Sequence, residues 1–331
     1  MHREGSPVAL TKKSRLSRKL AAAMRFPYLR VTGHPILVNL EVTKMCNARC
    51  DFCDYWKTGS EDRLDDFAPV IERLKPTVVM ITGGEPLLRR DLDSIVRGIR
   101  TAAPSVYLGM ITHGAMLSAR RAVPLWEADL DQISISVDFL DERHDRARGI
   151  PGLTNRIKAT VPRLLAAGID NLGFNTVIKR DNLDAIVDMV HWVADNGVKI
   201  SFSTYADVKV GNRDHNVSAD EMAQLRHVIE ELLKLKAQGY PIMSSSYYLG
   251  RIPEFFDKGG IPNCIAGQKF VTVTPSGHVK RCSEFPVEMH YTEWTPKKFG
   301  KTHCDVCWFS CRGETQAPYL SIERLRQSIT V

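Results

Sequence analysis

Apolar positions along the chain recur with two periods, and the two alternate. Short runs at 36–43, 77–82, 105–111, 131–138, 171–178 and 198–204 are continuous or period-two in their hydrophobics and predict strands. Between and after them, segments near 64–74, 91–103, 118–128, 154–167, 183–196 and 218–238 carry apolar residues at helical spacing. The last is the clearest. Ser218 and Glu221 make a capping-box pair, Met222, Leu225, Ile229, Leu232 and Leu233 form one stripe, and Gly239 ends it.

Six strand–helix units in succession predict an α/β fold with a parallel sheet and right-handed crossovers, either a barrel or an open doubly wound sheet. In both, chemistry gathers at the C-terminal ends of the strands. The unusual residues fall there: a cysteine loop after Thr43, Gly83–Pro86 after the second strand, Thr112–Gly114 after the third, and Asp138 closing the fourth. Beyond about residue 250 the pattern breaks into short Gly-, Pro- and Cys-rich segments. Runs at 270–274 and 278–281, joined by Pro275-Ser276-Gly277, predict a hairpin. Such a loop-rich module needs a metal to stabilise it.

Length and composition leave room for one large α/β unit plus this small module: 331 residues, 44% hydrophobic and 25% charged. No apolar run is long enough to span a bilayer, and the stretch 20–24 is too short for a signal-peptide core. The expected location is the cytoplasm. Residues 1–30 carry eight Lys/Arg against Glu4 alone, which accounts for the whole net charge of +7; the remainder balances at 37 basic and 37 acidic groups. A basic arm on a neutral body argues against a nucleic-acid groove. On a helix over residues 10–25 the arm would set Leu10, Leu16, Leu20 and Met24 opposite Arg15, Arg18, Lys19 and Arg25. That arrangement is compatible with peripheral contact at an anionic membrane, with a cover over the barrel mouth, or with a solvated arm.

Of eight cysteines, six fall in tight clusters at 46–53 and 304–311. Without a signal peptide, that clustering points to metal rather than disulfides. Cys46, Cys50 and Cys53 place three thiols within eight residues. Three thiolates on a four-iron cluster leave one iron open to a chelating ligand, while a zinc site would lack its fourth ligand. Gly83-Gly84-Glu85-Pro86 reads either as a ligand-approaching loop or as a tight turn with a capping acid. Ser136 and Asp138 are candidate ligand contacts or ordinary caps. In the C-terminal module, Cys264, Cys282, Cys304 and Cys307 can close a cluster or a zinc knuckle, with Cys311 a fifth thiol.

The C-x3-C-x2-C loop with Phe52 before its third cysteine, followed by the GGEP sequence, resembles the radical S-adenosylmethionine (SAM) superfamily. Cys264, Gly277, Cys282 and the Cys304/Cys307 pair resemble its auxiliary-cluster module, SPASM, in the shortened "twitch" form. The resemblance spans roughly residues 36–311. It implies a partial (β/α)6 TIM-like barrel over 34–250, preceded by the arm at 1–33 and followed by an auxiliary-cluster domain at 251–331. It also implies SAM chelated by the open iron of a [4Fe–4S] cluster on Cys46, Cys50 and Cys53, with a second [4Fe–4S] cluster among the C-terminal cysteines. Phe52 would lie beside the adenine, Gly83, Gly84, Glu85 and Pro86 would hold the methionine moiety, and Ser136, Asp138 and Thr112 would complete the pocket. Asn175 and Asn182 flank the fifth strand in a family-like way, and His113 stands where the family commonly has Asn.

The reaction so implied is reductive cleavage of SAM to a 5′-deoxyadenosyl radical that takes hydrogen from a C–H bond. The second cluster would accept an electron, and a flavodoxin, ferredoxin or reductase would supply one. Substrates expected from the resemblance are small molecules, peptides or, through the arm, lipids. A ribosomal-peptide maturase is less expected, because about thirty-five residues precede the first strand, too few for a leader-recognition domain. A glycyl-radical activase and a non-catalytic metal-binding scaffold complete the alternatives. Cys311, as a hydrogen donor, and Tyr205, just past the sixth strand, are the candidates for direct action on substrate.

Overall fold

The computed structural model describes residues 31–318. The arm helix expected over 10–25 lies outside the described residues. No helix among the described residues is long and apolar enough to cross a membrane.

Six parallel strands form the body: β1 Leu37–Thr43, β2 Val78–Gly83, β3 Tyr107–Thr112, β4 Gln132–Ser136, β5 Leu172–Ile178 and β6 Lys199–Thr204. They lie side by side in chain order. Each is followed by a helix, as the alternating periods require: α1 Ala68–Leu74, α2 Leu92–Ala102, α3 Ala119–Glu127, α4 Glu142–Arg148 with α5 Leu153–Ala166, α6 Ile186–Asp195 and α7 Met222–Ala237. The fold is that of a partial TIM-like barrel. Strand β1 shows how sequence selects the faces. Val38, Leu40 and Val42 enter the core with the helices, while Leu37, Asn39, Glu41 and Thr43 alternate onto the opposite face.

The caps explain the helix ends. Ser218 and Glu221 close their capping box, with the Ser218 amide 2.8 Å from the Glu221 carboxylate. Helix α1 begins at Ala68 rather than near 64 because Pro69 suits only a first turn, and Leu64 instead donates its amide to Pro275. Helix α4 was not among the expected helices. Asp141 caps its start, accepting from the Arg143 amide at 2.8 Å, and Gly149 ends it in the left-handed conformation.

The expected hairpin forms as β7 Phe270–Val273 and β8 His278–Lys280, with β9 Met289–His290 beyond it. It does not stand apart. Strand β7 pairs in parallel with β1, so one nine-stranded sheet continues through the boundary expected at 250. The chain then crosses to the other edge: Thr204 on β6 donates to the Trp308 carbonyl at 2.8 Å, and the Ser310 amide donates to Ser203. Helices α8 Ser246–Gly250 and α9 Ile252–Lys258 precede the hairpin, and a last helix, α10 Ser310–Gln316, lies at this edge. Cys307 and Trp308 belong to the barrel's own hydrophobic core. The C-terminal segment is thus built onto the barrel, spanning both of its edges.

Candidate functional site

A bulge at the end of β1 sets Thr43 against Gly83, and the cysteine loop starts there. The loop is held by backbone before any metal is considered. Arg49 donates its amide to the Arg148 carbonyl at 2.8 Å, Gly84 to Thr43 at 2.7 Å and Glu85 to Met45 at 2.9 Å. Gly83 and Gly84 make this approach feasible. Gly83 has φ +126°, and a Cβ on either residue would fall about 2 Å from a carbonyl oxygen, that of Thr43 for Gly83 and Met45 for Gly84. The two glycines therefore serve close loop–loop packing, and both also line a cavity of about 150 Å³.

Cys46, Cys50 and Cys53 line that cavity together with Phe52, Thr112 and Ser136. Glu85, Pro86 and Asp138 do not line it. Glu85 is buried behind the wall, where its carboxylate accepts from Thr112 Oγ1 at 2.6 Å, the His113 amide at 2.9 Å and the Leu87 amide at 3.0 Å. It joins β2 to β3. Asp138 is also buried; one oxygen takes the Val177 amide at 3.0 Å and the other pairs with Arg148 at 2.6 Å. Asn175 pairs in register with Ser136, and the Asn182 side chain closes the loop after β5, accepting from the Lys179 amide and donating to the Val177 carbonyl.

Arg148 is the site residue that sequence reasoning passed over. Its guanidinium lies 3.7 Å from Cys50 Sγ and 5.3 Å over the Phe52 ring, and its buried Nε has no partner. As a lone arginine ten residues beyond Asp138, it carries no pattern in the sequence that marks a role. His113 stands in the cavity wall. The Ala115 amide donates to its Nδ1 at 3.1 Å, so Nε2 carries the proton and donates to Asn47 of the cysteine loop at 2.8 Å. Burial favours this neutral form and lowers its pKa, although the adjacent Glu85 pulls the other way.

A second group was also unforeseen. His215 lies between Asp181, at 2.6 Å, and Asp51 of the cysteine loop, at 2.9 Å. Its ring and that of Tyr205 meet Phe52 edge-on. Tyr205 lines neither cavity; its hydroxyl donates to the Asn212 carbonyl at 2.6 Å, and burial with nearby carboxylates pushes its pKa up to about 12.

All five C-terminal cysteines, Cys264, Cys282, Cys304, Cys307 and Cys311, line one other cavity, of about 320 Å³. The hairpin brings Cys282 back beside Cys264, and the Cys264 amide donates to the Cys304 carbonyl. Burial pushes Cys282 up to about 12, and Cys46 and Cys307 up to about 11. Thiols so desolvated become thiolates only where a cation takes the charge, which is the donor chemistry of a metal–sulfur unit. Among the described residues no group of three or more His, Cys, Asp or Glu is gathered to hold a metal ion. The cysteines instead line the walls of two separate cavities.

Barrel, cysteine loop and glycine turn together define a class. The family model described as the radical SAM superfamily matches residues 40–193, and the chain carries a radical SAM domain, whose cofactors are a four-iron cluster and SAM.

Particular relatives follow. A GTP 3′,8-cyclase of Listeria monocytogenes is 32% identical over 181 residues, covering 52% of this chain and 54% of the relative. One of Staphylococcus saprophyticus is 33% identical over 214 residues, covering 58% and 62%. The chain thus spans about half the length of the first of these curated relatives. In fold it is similar to Streptococcus suis SuiB bound to S-adenosylmethionine, with TM-score 0.63 and 17% identity over 83% of this chain and 68% of that one. The structure of anSMEcpe with bound AdoMet gives 0.61 and 15% over 90% and 84%.

Proposed function

We propose that this chain is a radical SAM enzyme acting on a C–H bond of a small-molecule or peptide substrate, with a second cluster in the C-terminal cavity as electron acceptor. The observation that carries it is the convergence of Cys46, Cys50 and Cys53 with Phe52, Ser136 and Arg148 on one cavity. When bound, the cluster and SAM supply a 5′-deoxyadenosyl radical that abstracts hydrogen. The residues here bind and orient. The three cysteines would hold three irons, the Arg148 guanidinium beside Cys50 would lie against their thiolates, and Ser136 and Phe52 would face the nucleoside. Glu85, occupied by the two neighbouring loops, acts as a brace beneath the pocket.

A second reading, cyclisation of a purine nucleotide, is favoured by the curated relatives' name and by their 28–33% identity. Anaerobic reconstitution with iron and sulfide counting tests the common part. About eight irons in wild type, falling to about four in the Cys46/Cys50/Cys53→Ala triple variant, is the expected result for two four-iron clusters. 5′-Deoxyadenosine formation should vanish with the loss. A triple variant that keeps all its iron would sink the assignment. Incubation with GTP, SAM and dithionite separates the readings, since a new nucleotide product is required only by the second.

A further inference from the structure

Five side-chain cations are buried among the described residues: Arg89, Arg148, Lys179, Lys280 and Arg312. Three pair with carboxylates, Arg89 with Asp91 at 2.5 Å, Arg148 with Asp138 at 2.6 Å and Lys179 with Asp181 at 3.1 Å. Lys280 keeps 9% exposure and, as an amine, can shed its proton. Arg312 differs from all four. It is wholly buried at 0% exposure, and a guanidinium does not deprotonate in a protein.

Its partners are all neutral. The guanidinium donates to the carbonyls of Cys307 at 2.7 Å, Pro262 at 3.0 Å and Ile261, and to Gln316 Oε1 at 3.1 Å. These bonds engage all three of its nitrogens and fasten the segment before Cys264 to the one bearing Cys307. They do not cancel its charge. A buried ion without a counter-ion is strongly disfavoured, so the molecule must supply a negative charge nearby. Arg312 lines the cavity that holds the five C-terminal cysteines. Neutral thiols cannot balance it, whereas four thiolates around a metal–sulfur core carry net negative charge.

We propose that Arg312 is the fixed counter-charge of an anionic cluster in this cavity and that it raises the cluster's reduction potential. The inference rests on the reading that the C-terminal cysteines bind a cluster. Reduction adds an electron to an already negative unit. A positive charge held close by in a low-dielectric wall favours that reduced state, as an electron acceptor would require.

The experiment uses the full chain with Cys46, Cys50 and Cys53 changed to Ala, reconstituted anaerobically so that only the C-terminal site is loaded. Iron, sulfide and zinc are counted first, and the potential is then read by redox titration followed by electron paramagnetic resonance. Arg312→Met should shift the midpoint to more negative potential, and Arg312→Lys should keep most of the original value. Gln316→Glu retains the acceptor for Arg312 Nε while adding a carboxylate, and should shift the midpoint in the same direction by less. It serves even if Arg312→Met does not fold. An unmoved midpoint in folded, fully loaded Gln316→Glu would overturn the charge assignment. Zinc instead of iron in the parent would overturn the cluster reading itself, and with it the claim about potential; metal counting tells the two failures apart.

Discussion

The two cysteine cavities are assembled on opposite principles. The first is short-range and self-balanced. Its three thiols come from one loop, that loop is laid down by backbone bonds to Thr43, Met45 and Arg148, and its arginine already has Asp138 as a partner. The second is long-range and unbalanced. Its thiols come from segments as far apart as Cys264 and Cys311, and the arginine beside them has only neutral partners. A cavity of the first kind holds its geometry whether or not it is filled. One of the second kind depends on its occupant for charge as well as for cross-linking.

Making the first site resemble the second should have the largest effect. Asp138→Asn preserves shape but strands a buried guanidinium, which costs about 4 kcal/mol in comparable settings. Urea unfolding of the metal-free chain should show that loss, and a change below about 1 kcal/mol would deny the pair its structural part. Gly84→Ala comes next. A Cβ about 2 Å from the Met45 carbonyl must push the cysteine loop off β2, and a loss of about 3 kcal/mol is expected from such a clash. Iron should fall at the first site while the C-terminal count stays whole.

A smaller effect depends on pH. His144 accepts the Asp138 amide on Nδ1 and leaves Nε2 buried without a partner, and burial depresses its pKa from 6.5 to about 4. The folded form is therefore lower in pKa than the unfolded chain. Its stabilisation is complete above the unfolded value and fades as pH falls through 6.5 toward 4. Between pH 7 and pH 5 the loss from this group amounts to about 2 kcal/mol. His144→Asn should flatten that part of the stability profile; an unaltered slope would assign the acid sensitivity elsewhere. Least of all, His113→Asn should cost about 1 kcal/mol, because one amide can replace the hydrogen bond to Asn47 but not the one from Ala115 as well.

How much of this was legible depends on range. Strand and helix positions, helix faces and the cysteine loop were readable because each rests on spacing within some ten residues, as with Ser218 and Glu221 or Cys46 to Cys53. Helix α4 was missed because its seven residues, rich in Arg, Asp and Glu, show no apolar stripe; only Asp141 and Gly149 marked its ends. Arg148, His215 and Arg312 were invisible as site residues for another reason. A lone basic residue acquires meaning only when folding brings it to Cys50, Asp51 or Cys307. Sequence could place Ser136 and Asp138 at the same strand end, but β4 stops at Ser136, so the alternation of an extended strand no longer governs Asp138, which is buried behind the wall that Ser136 lines. Composition changes at 250, and nothing in the sequence signals that a strand beyond it pairs with β1, because that contact joins residues more than two hundred positions apart.

That pairing has a consequence for synthesis. Strand β1 emerges early, yet its second neighbour is β7, so Leu37 waits for Phe270. For the whole interval one edge of β1 offers unpaired amides and carbonyls, the template on which foreign strands are added. The nascent chain must therefore guard an open edge through most of its translation, and a shortened product ending before residue 270 would carry that edge permanently. Truncation should thus produce aggregation rather than a smaller working enzyme.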